Sequence, residues 1–152
     1  NPSPTCPGAA TNCFSGNYGP GAEIMGTQTI TYSVAADATN NNLPTLFRSS
    51  TGIGAAAAAA QPLVEGVETM QILYGEDLNA DRSADRYVPA NTVGLVMNNV
   101  VSVRISLVLV TAENNLATTP QTYIDANGMT VTAADRRLRR LFSSTIQLRN
   151  RV

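Results

Sequence analysis

The stretch Val100 to Val110, VVSVRISLVLV, restricts what this chain can fold into more than any other. Val101, Val103, Ile105, Leu107 and Leu109 share one parity; Ser102, Arg104 and Ser106 share the other. Successive side chains of a strand point to opposite faces, so this spacing writes a β-strand with an apolar and a polar side. It predicts a central antiparallel strand, its Val/Ile/Leu side turned inward and its Ser/Arg side wet over at least the first half. Such a strand needs neighbours on both edges, and the rest of the chain offers them.

Thr27 to Val34 alternates in the same way, with Ile30, Tyr32 and Val34 on one face, and Leu43 to Arg48 reads as its return strand after a turn at 37–42. Leu63 to Tyr74 fits a helical stripe (Leu63, Val67, Met70, Tyr74) but also alternates through Met70, Ile72 and Tyr74; Gly66 and the loop-rich flanks favour strand. Gln121–Ile124 and Met129–Thr132 flank Asp125-Ala126-Asn127-Gly128, whose Asn-Gly pair signals a tight hairpin. Thr132-Ala133-Ala134-Asp135 has capping-box spacing, which predicts a short helix running to Phe142 with Leu138, Leu141 and Phe142 on its buried side. Thr145 to Val152 then returns to strand alternation. The six alanines at 55–60 form a linker or one loose turn, since so short a run is marginal as a helix in water.

The expected fold is therefore α+β but mostly β, two small antiparallel sheets with one short C-terminal helix. Residues 1–26 form a Cys-containing loop region, rich in Pro and Gly, and 27–152 a single β-rich domain. At 152 residues the chain suffices for one core. Charged residues are 14%, about half the usual share. No run of apolar residues is long enough to span a bilayer. The opening Asn1-Pro2-Ser3-Pro4, without an initiator Met, points to a processed or partial chain.

Composition excludes much chemistry. The chain contains neither His nor Lys, so Ser-His-Asp, Cys-His and Ser-Lys nucleophile systems cannot be assembled. Paired carboxylates remain, but the acids cluster in one polar loop and only 5% of residues are aromatic, too few to line a sugar cleft. No phosphate-binding glycine pattern occurs. The chain reads as a non-enzyme with no required cofactor.

Three sets of residues stand out. Cys6 and Cys13 are spaced wrongly for a redox pair or zinc site; they form a local disulfide in an oxidising compartment or remain two thiols. Asp77, Asn79, Asp81, Ser83 and Asp85 place oxygens at alternate positions, as the first half of a calcium loop does. Arg82 stands where such loops need Gly, and Val88 where they need an acid, leaving Glu76 or Asp85 to close a Ca²⁺ cage; the other reading is a solvated polar loop. Arg136, Arg137, Arg139 and Arg140 suit a partner surface, a solvated face or ion pairs with the acids of residues 65–85. Nucleic acid is disfavoured, because the net charge is −1 and no aromatics interleave the arginines.

Three blocks together resemble PilW-family minor pilins of the type IV pilus. They are Leu63-Val64-Glu65-Gly66-Val67-Glu68-Thr69-Met70-Gln71-Ile72-Leu73-Tyr74-Gly75 with the acidic loop and Ala84-Asp85-Arg86-Tyr87-Val88; Asn98-Asn99-Val100-Val101-Ser102-Val103-Arg104-Ile105-Ser106-Leu107; and Asp135-Arg136-Arg137-Leu138-Arg139-Arg140-Leu141-Phe142 followed by Thr145-Ile146-Gln147-Leu148-Arg149-Asn150-Arg151. Met97 stands where the family often has Trp. The first block and the strand after the loop are also similar to the J-type pseudopilin of type II secretion. The resemblance implies a pilin-like globular domain whose long N-terminal helix is absent from this chain. It further implies a structural role in a complex that primes pilus assembly and sits near the tip. The implied partners are other minor and major pilins and in some systems an adhesin; a tip module binding DNA or a host ligand is the alternative. The implied location is the inner membrane facing the periplasm, reached through the missing helix, and then the extracellular pilus.

Overall fold

The computed structural model describes residues 21, 23, 26–52, 56 and 58–149. Cys6 and Cys13 lie outside them, as do residues 150–152 of the expected last strand. The described chain is antiparallel β throughout. β1 (Gln28–Asp37), β2 (Leu43–Gly52) and β3 (Gln61–Glu65) form a three-stranded sheet in the order β1-β2-β3. β4 (Val67–Glu76), β5 (Arg86–Val88), β6 (Val100–Val110) and β9 (Arg139–Gln147) form a four-stranded sheet in the order β5-β4-β6-β9. β7 (Thr122–Ile124) and β8 (Thr130–Thr132) make a small hairpin. Two sheets were expected and three are found.

The ambiguous stretch from Leu63 to Tyr74 is two strands that belong to different sheets. Gly66 parts them at φ +73°, a conformation that L side chains rarely adopt, and a Cβ there would meet the Val110 carbonyl oxygen at 2.5 Å. The same residue anchors the corner, since its carbonyl accepts from the Val110 amide at 2.8 Å. The hairpin around Asn127-Gly128 forms as expected, closed by Asp125, whose carboxylate accepts from the amides of Asn127 (2.9 Å) and Met129 (2.8 Å).

Two expectations are corrected. The helix predicted up to Phe142 does not form: residues 134–136 are bends and β9 begins at Arg139. The Asp135 carboxylate, expected beside a helix start, instead accepts from the Arg137 amide two residues on (3.1 Å), a local turn that competes with helix. β6 offers the following segment a full ladder, from Val110↔Arg139 to Ser102↔Gln147, and that pairing overrides the local signal. The only helical turn among the described residues is a 3₁₀ turn, Met97–Asn99, leading into β6.

The second correction concerns the faces of β6. It is the central strand expected, flanked by β4 and β9. Its serine face, however, is the covered one: Ser102 and Ser106 are each 6% exposed, with Val100, Val108 and Val110 buried on the same parity. Val101, Val103, Ile105, Leu107 and Leu109 are only half-buried. Beyond these, the buried apolar side chains among the described residues are Leu43, Val67 and Ala133. In β1, Ile30 and Tyr32, which share one face of the strand, are both exposed.

Candidate functional site

On the serine face of the four-stranded sheet, β6 buries Val100, Val108 and Val110 together with serines held in polar pairs. Gly75 lies opposite Ser102, and its missing side chain leaves room for the ring of Tyr87, which reaches over from β5. The Tyr87 hydroxyl and Ser102 Oγ are hydrogen-bonded at 3.0 Å, and the Arg104 guanidinium stacks 3.8 Å from the Tyr87 ring centroid. Ser106 and Ser143 hydroxyls bond across β6 and β9 at 3.0 Å. Each small polar residue thus has its partner, and none of the buried side-chain polar atoms described lacks one.

The opposite face carries the apolar cross-strand set. Ile72 lies opposite Ile105, Tyr74 opposite Val103 and Met70 opposite Leu107; on the other side Phe142 lies opposite Leu107 and Ile146 opposite Val103. These are residues that normally build a core, yet Ile72 is 36%, Phe142 49% and Ile146 51% exposed. Together they form an apolar patch that runs across three strands. At its Val110 end it opens into a shallow groove of about 420 Å³, lined in part by Leu109, Leu138, Arg140 and Phe142. Strand parity assigned Val103, Ile105 and Leu107 to the interior, and Phe142 was expected on the buried side of a helix.

The acidic loop follows β4 at the other end of β6. Glu76 is fully buried and is committed away from the loop: it pairs with Arg86 at 2.6 Å and accepts from the Val96 amide at 2.8 Å. The Val96 amide and then Arg86 hold its carboxyl below the ordinary value. Glu76 therefore closes no cage with the loop. Asp77 is also buried, and burial pushes its carboxyl up, but amides of Arg82, Ala80, Asn79 and Asp81 outweigh this and hold it below the ordinary value. Its oxygens accept from Ala80 and Arg82, each at 2.7 Å. Asp85 accepts from the Leu78 amide (2.7 Å), Asp81 from the Ser83 amide (2.8 Å), and the Asn79 side-chain amide reaches toward both acids. Asp77, Asn79, Asp81 and Asp85 are thus drawn into one network, while Ser83 joins through its backbone. Among the described residues, no three acidic, His or Cys side chains gather as a metal would require.

The four arginines separate. Arg139 is spent inside the protein: its side chain, 8% exposed, bonds Glu68 at 2.7 and 2.8 Å and Asp135 at 2.6 Å, so one acid of the 65–85 stretch, Glu68, meets one of the C-terminal arginines. Arg139 holds the Asp135 carboxyl down to about 2. Arg136 and Arg140 are exposed, with Arg140 above the Phe142 ring at 5.5 Å, and Arg137 is half-buried. They do not form one helical face. Gln121, which carries no sequence signal, fixes the start of β9: its side-chain amide bonds both the amide (2.6 Å) and the carbonyl (2.9 Å) of Arg139.

No helix among the described residues is long and apolar enough to cross a membrane. Searches of curated proteins and of solved structures gave no match. A family model described as type IV pilus-assembly protein W matches residues 31–150, which includes all four strands of the main sheet and both of its faces. The chain belongs to the PilW family of type IV pilus-assembly proteins.

Proposed function

We propose that this protein is a structural minor pilin, acting by docking and without turnover. The open apolar face of β4, β6 and β9 is its docking surface, and its occupant is an apolar helix of the kind pilins carry. The observation that supports this reading is at β6 and its neighbours: Ser102 and Ser106 are buried and hydrogen-bonded, while the Val/Ile/Leu residues of the other parity are only half-buried and Ile72, Phe142 and Ile146 beside them are exposed. Covering such a face recovers about 25 cal/mol for each Å² of apolar surface removed from water. A flat face made mainly of aliphatic and aromatic side chains fits assembly better than catalysis. Membership of a pilus-assembly family supports an association with the cell envelope and pilus. A place in the complex that primes assembly near the pilus tip, reached from the periplasmic side of the inner membrane, follows from the same reading. The exposed Arg136 and Arg140 fit the rim of such a contact, where charges orient partners more than they hold them.

The test is to make the face charged where the isolated chain already exposes it. With Ile72→Asp and Phe142→Asp combined, the purified chain should keep its β-sheet spectrum and cooperative melting. Cells relying on this variant should lose surface pili. Normal piliation by a stably produced variant would exclude the face as the docking surface.

A further inference from the structure

We infer that β9 is a self-pairing edge, and that two copies of this chain join by antiparallel β9–β9 contact about a two-fold axis through Ser144. This rests first on the backbone edge of the main sheet and does not depend on the pilin reading. β9 is the outer strand of the order β5-β4-β6-β9. Its even residues turn their backbone groups toward β6: the Leu138 carbonyl accepts from Thr111 (3.0 Å) and the Leu148 amide donates to Val101 (2.8 Å). Arg139 turns both of its groups outward, where the Gln121 side chain takes them. By the alternation of an antiparallel ladder, Leu141, Ser143, Thr145 and Gln147 turn theirs outward as well.

Edge strands usually refuse such pairing with charges, Pro or a bulge. Residues 141–147, LFSSTIQ, contain no charge, Pro or Gly; β9 pairs with β6 without a register shift; and 142–147 are exposed. The stretch is also its own complement when reversed. Setting Leu141 against Gln147 of a second copy, and Ser143 against Thr145, engages all four outward residues of each strand. Sliding by two residues loses one of these pairings, and in one direction brings Gln147 against Arg139, already occupied by Gln121. In the full register Phe142 meets Ile146 across the new ladder, an aromatic and a β-branched side chain on one face, a favourable pairing. Both are exposed in the single chain. Ser144 meets itself, and no like charges oppose each other within 141–147; at each end Arg149 falls opposite Arg139, whose charge is already met by Glu68 and Asp135. The contact is isologous, so it closes at two and joins two four-stranded sheets into one.

The symmetry gives the test. Sedimentation velocity over a wide concentration series should show a monomer–dimer equilibrium for the unaltered chain. Ser144→Lys and Ser144→Glu each place like charges opposite on the axis, so each variant alone should remain monomeric. An equimolar mixture should regain the dimer, which also shows that both variants fold. Thr145→Pro removes an outward donor at a position where an edge strand tolerates Pro, and should be monomeric with its sheet spectrum kept. A chain that stays monomeric at every concentration overturns the inference. So does a dimer indifferent to Ser144→Lys, a mixture that fails to pair, or open-ended aggregation in place of a closed dimer.

Discussion

The two faces of the four-stranded sheet are made of the same strands and differ in what satisfies them. On one, Ser102 bonds Tyr87, Arg104 stacks on Tyr87, and Ser106 bonds Ser143, so its central polar groups are satisfied within the chain. On the other, Ile72, Ile105, Leu107, Phe142 and Ile146 lie side by side, and Phe142 and Ile146 remain about half exposed. Hydrogen bonds are directional and can be satisfied locally by a few neighbours; apolar surface is satisfied only by area. The difference teaches that the polar side is where this chain holds itself together, and the apolar side is where it has something left to give.

The largest effect should come from the buried end of the self-sufficient region. Glu76→Ala would strand the Arg86 guanidinium and leave the Val96 amide without its acceptor, and breaking a buried charged pair is among the costliest single changes. The thermal midpoint, followed by circular dichroism, should fall by on the order of 10 °C.

Next is a matched pair of substitutions, one on each face. Ser102→Val adds apolar bulk on the covered side, against the space that Gly75 leaves for Tyr87, and removes the Tyr87 hydroxyl's partner. It should destabilise by about 1–3 kcal/mol, as overpacking does. Phe142→Ser removes a large apolar side chain from the bare side and should change stability by no more than about 0.5 kcal/mol. Equal losses in chemical denaturation would erase the distinction between the faces.

Acid gives a smaller, distributed effect. Asp37, Glu76, Asp77 and Asp135 all have carboxyls held below their ordinary values, Asp135 at about 2. A carboxylate depressed in the folded state stabilises fully above its unfolded value, about 4, and loses that contribution as pH falls through the folded one. Denaturant midpoints should therefore hold steady from neutral pH to about pH 5 and decline from about pH 4 toward 2.

Calcium should do least. The loop carboxylates already accept from the amides of Leu78, Asn79, Ala80, Arg82 and Ser83. Melting in millimolar Ca²⁺ and in chelator should coincide; a midpoint raised by Ca²⁺ would make Asp77, Asn79, Asp81, Ser83 and Asp85 a metal site after all.

Much of this architecture was legible in the residues. The parity of 100–110 identified the central strand, and Asn127-Gly128 the hairpin between β7 and β8. Alternation divides a strand into two faces, however, without saying which is covered. The usual rule, apolar inward, misplaced Ile105 and Ser106, because it presumes that the chain covers its own apolar side. The one clue was Gly75, a residue without a side chain facing Ser102, which makes space for Tyr87 on the polar side. The segment from Ala133 to Phe142 carried a local helix signal, but β6 had an unpaired edge and the long-range ladder prevailed. Glu76 looked like a spare loop acid because nothing in its neighbourhood announces Val96, which is 20 residues away. Partners set by folding over such distances leave no mark in local pattern.

The central claim, that the bare face receives a pilus subunit, is tested most directly by a photo-crosslinking side chain placed at Ile72, with a control at the exposed Thr31 of β1. In piliated cells the Ile72 probe should form an adduct that mass spectrometry assigns to the apolar helix of a pilin, and the Thr31 probe should not. No pilin adduct at Ile72, or equal adducts at both positions, would contradict the account.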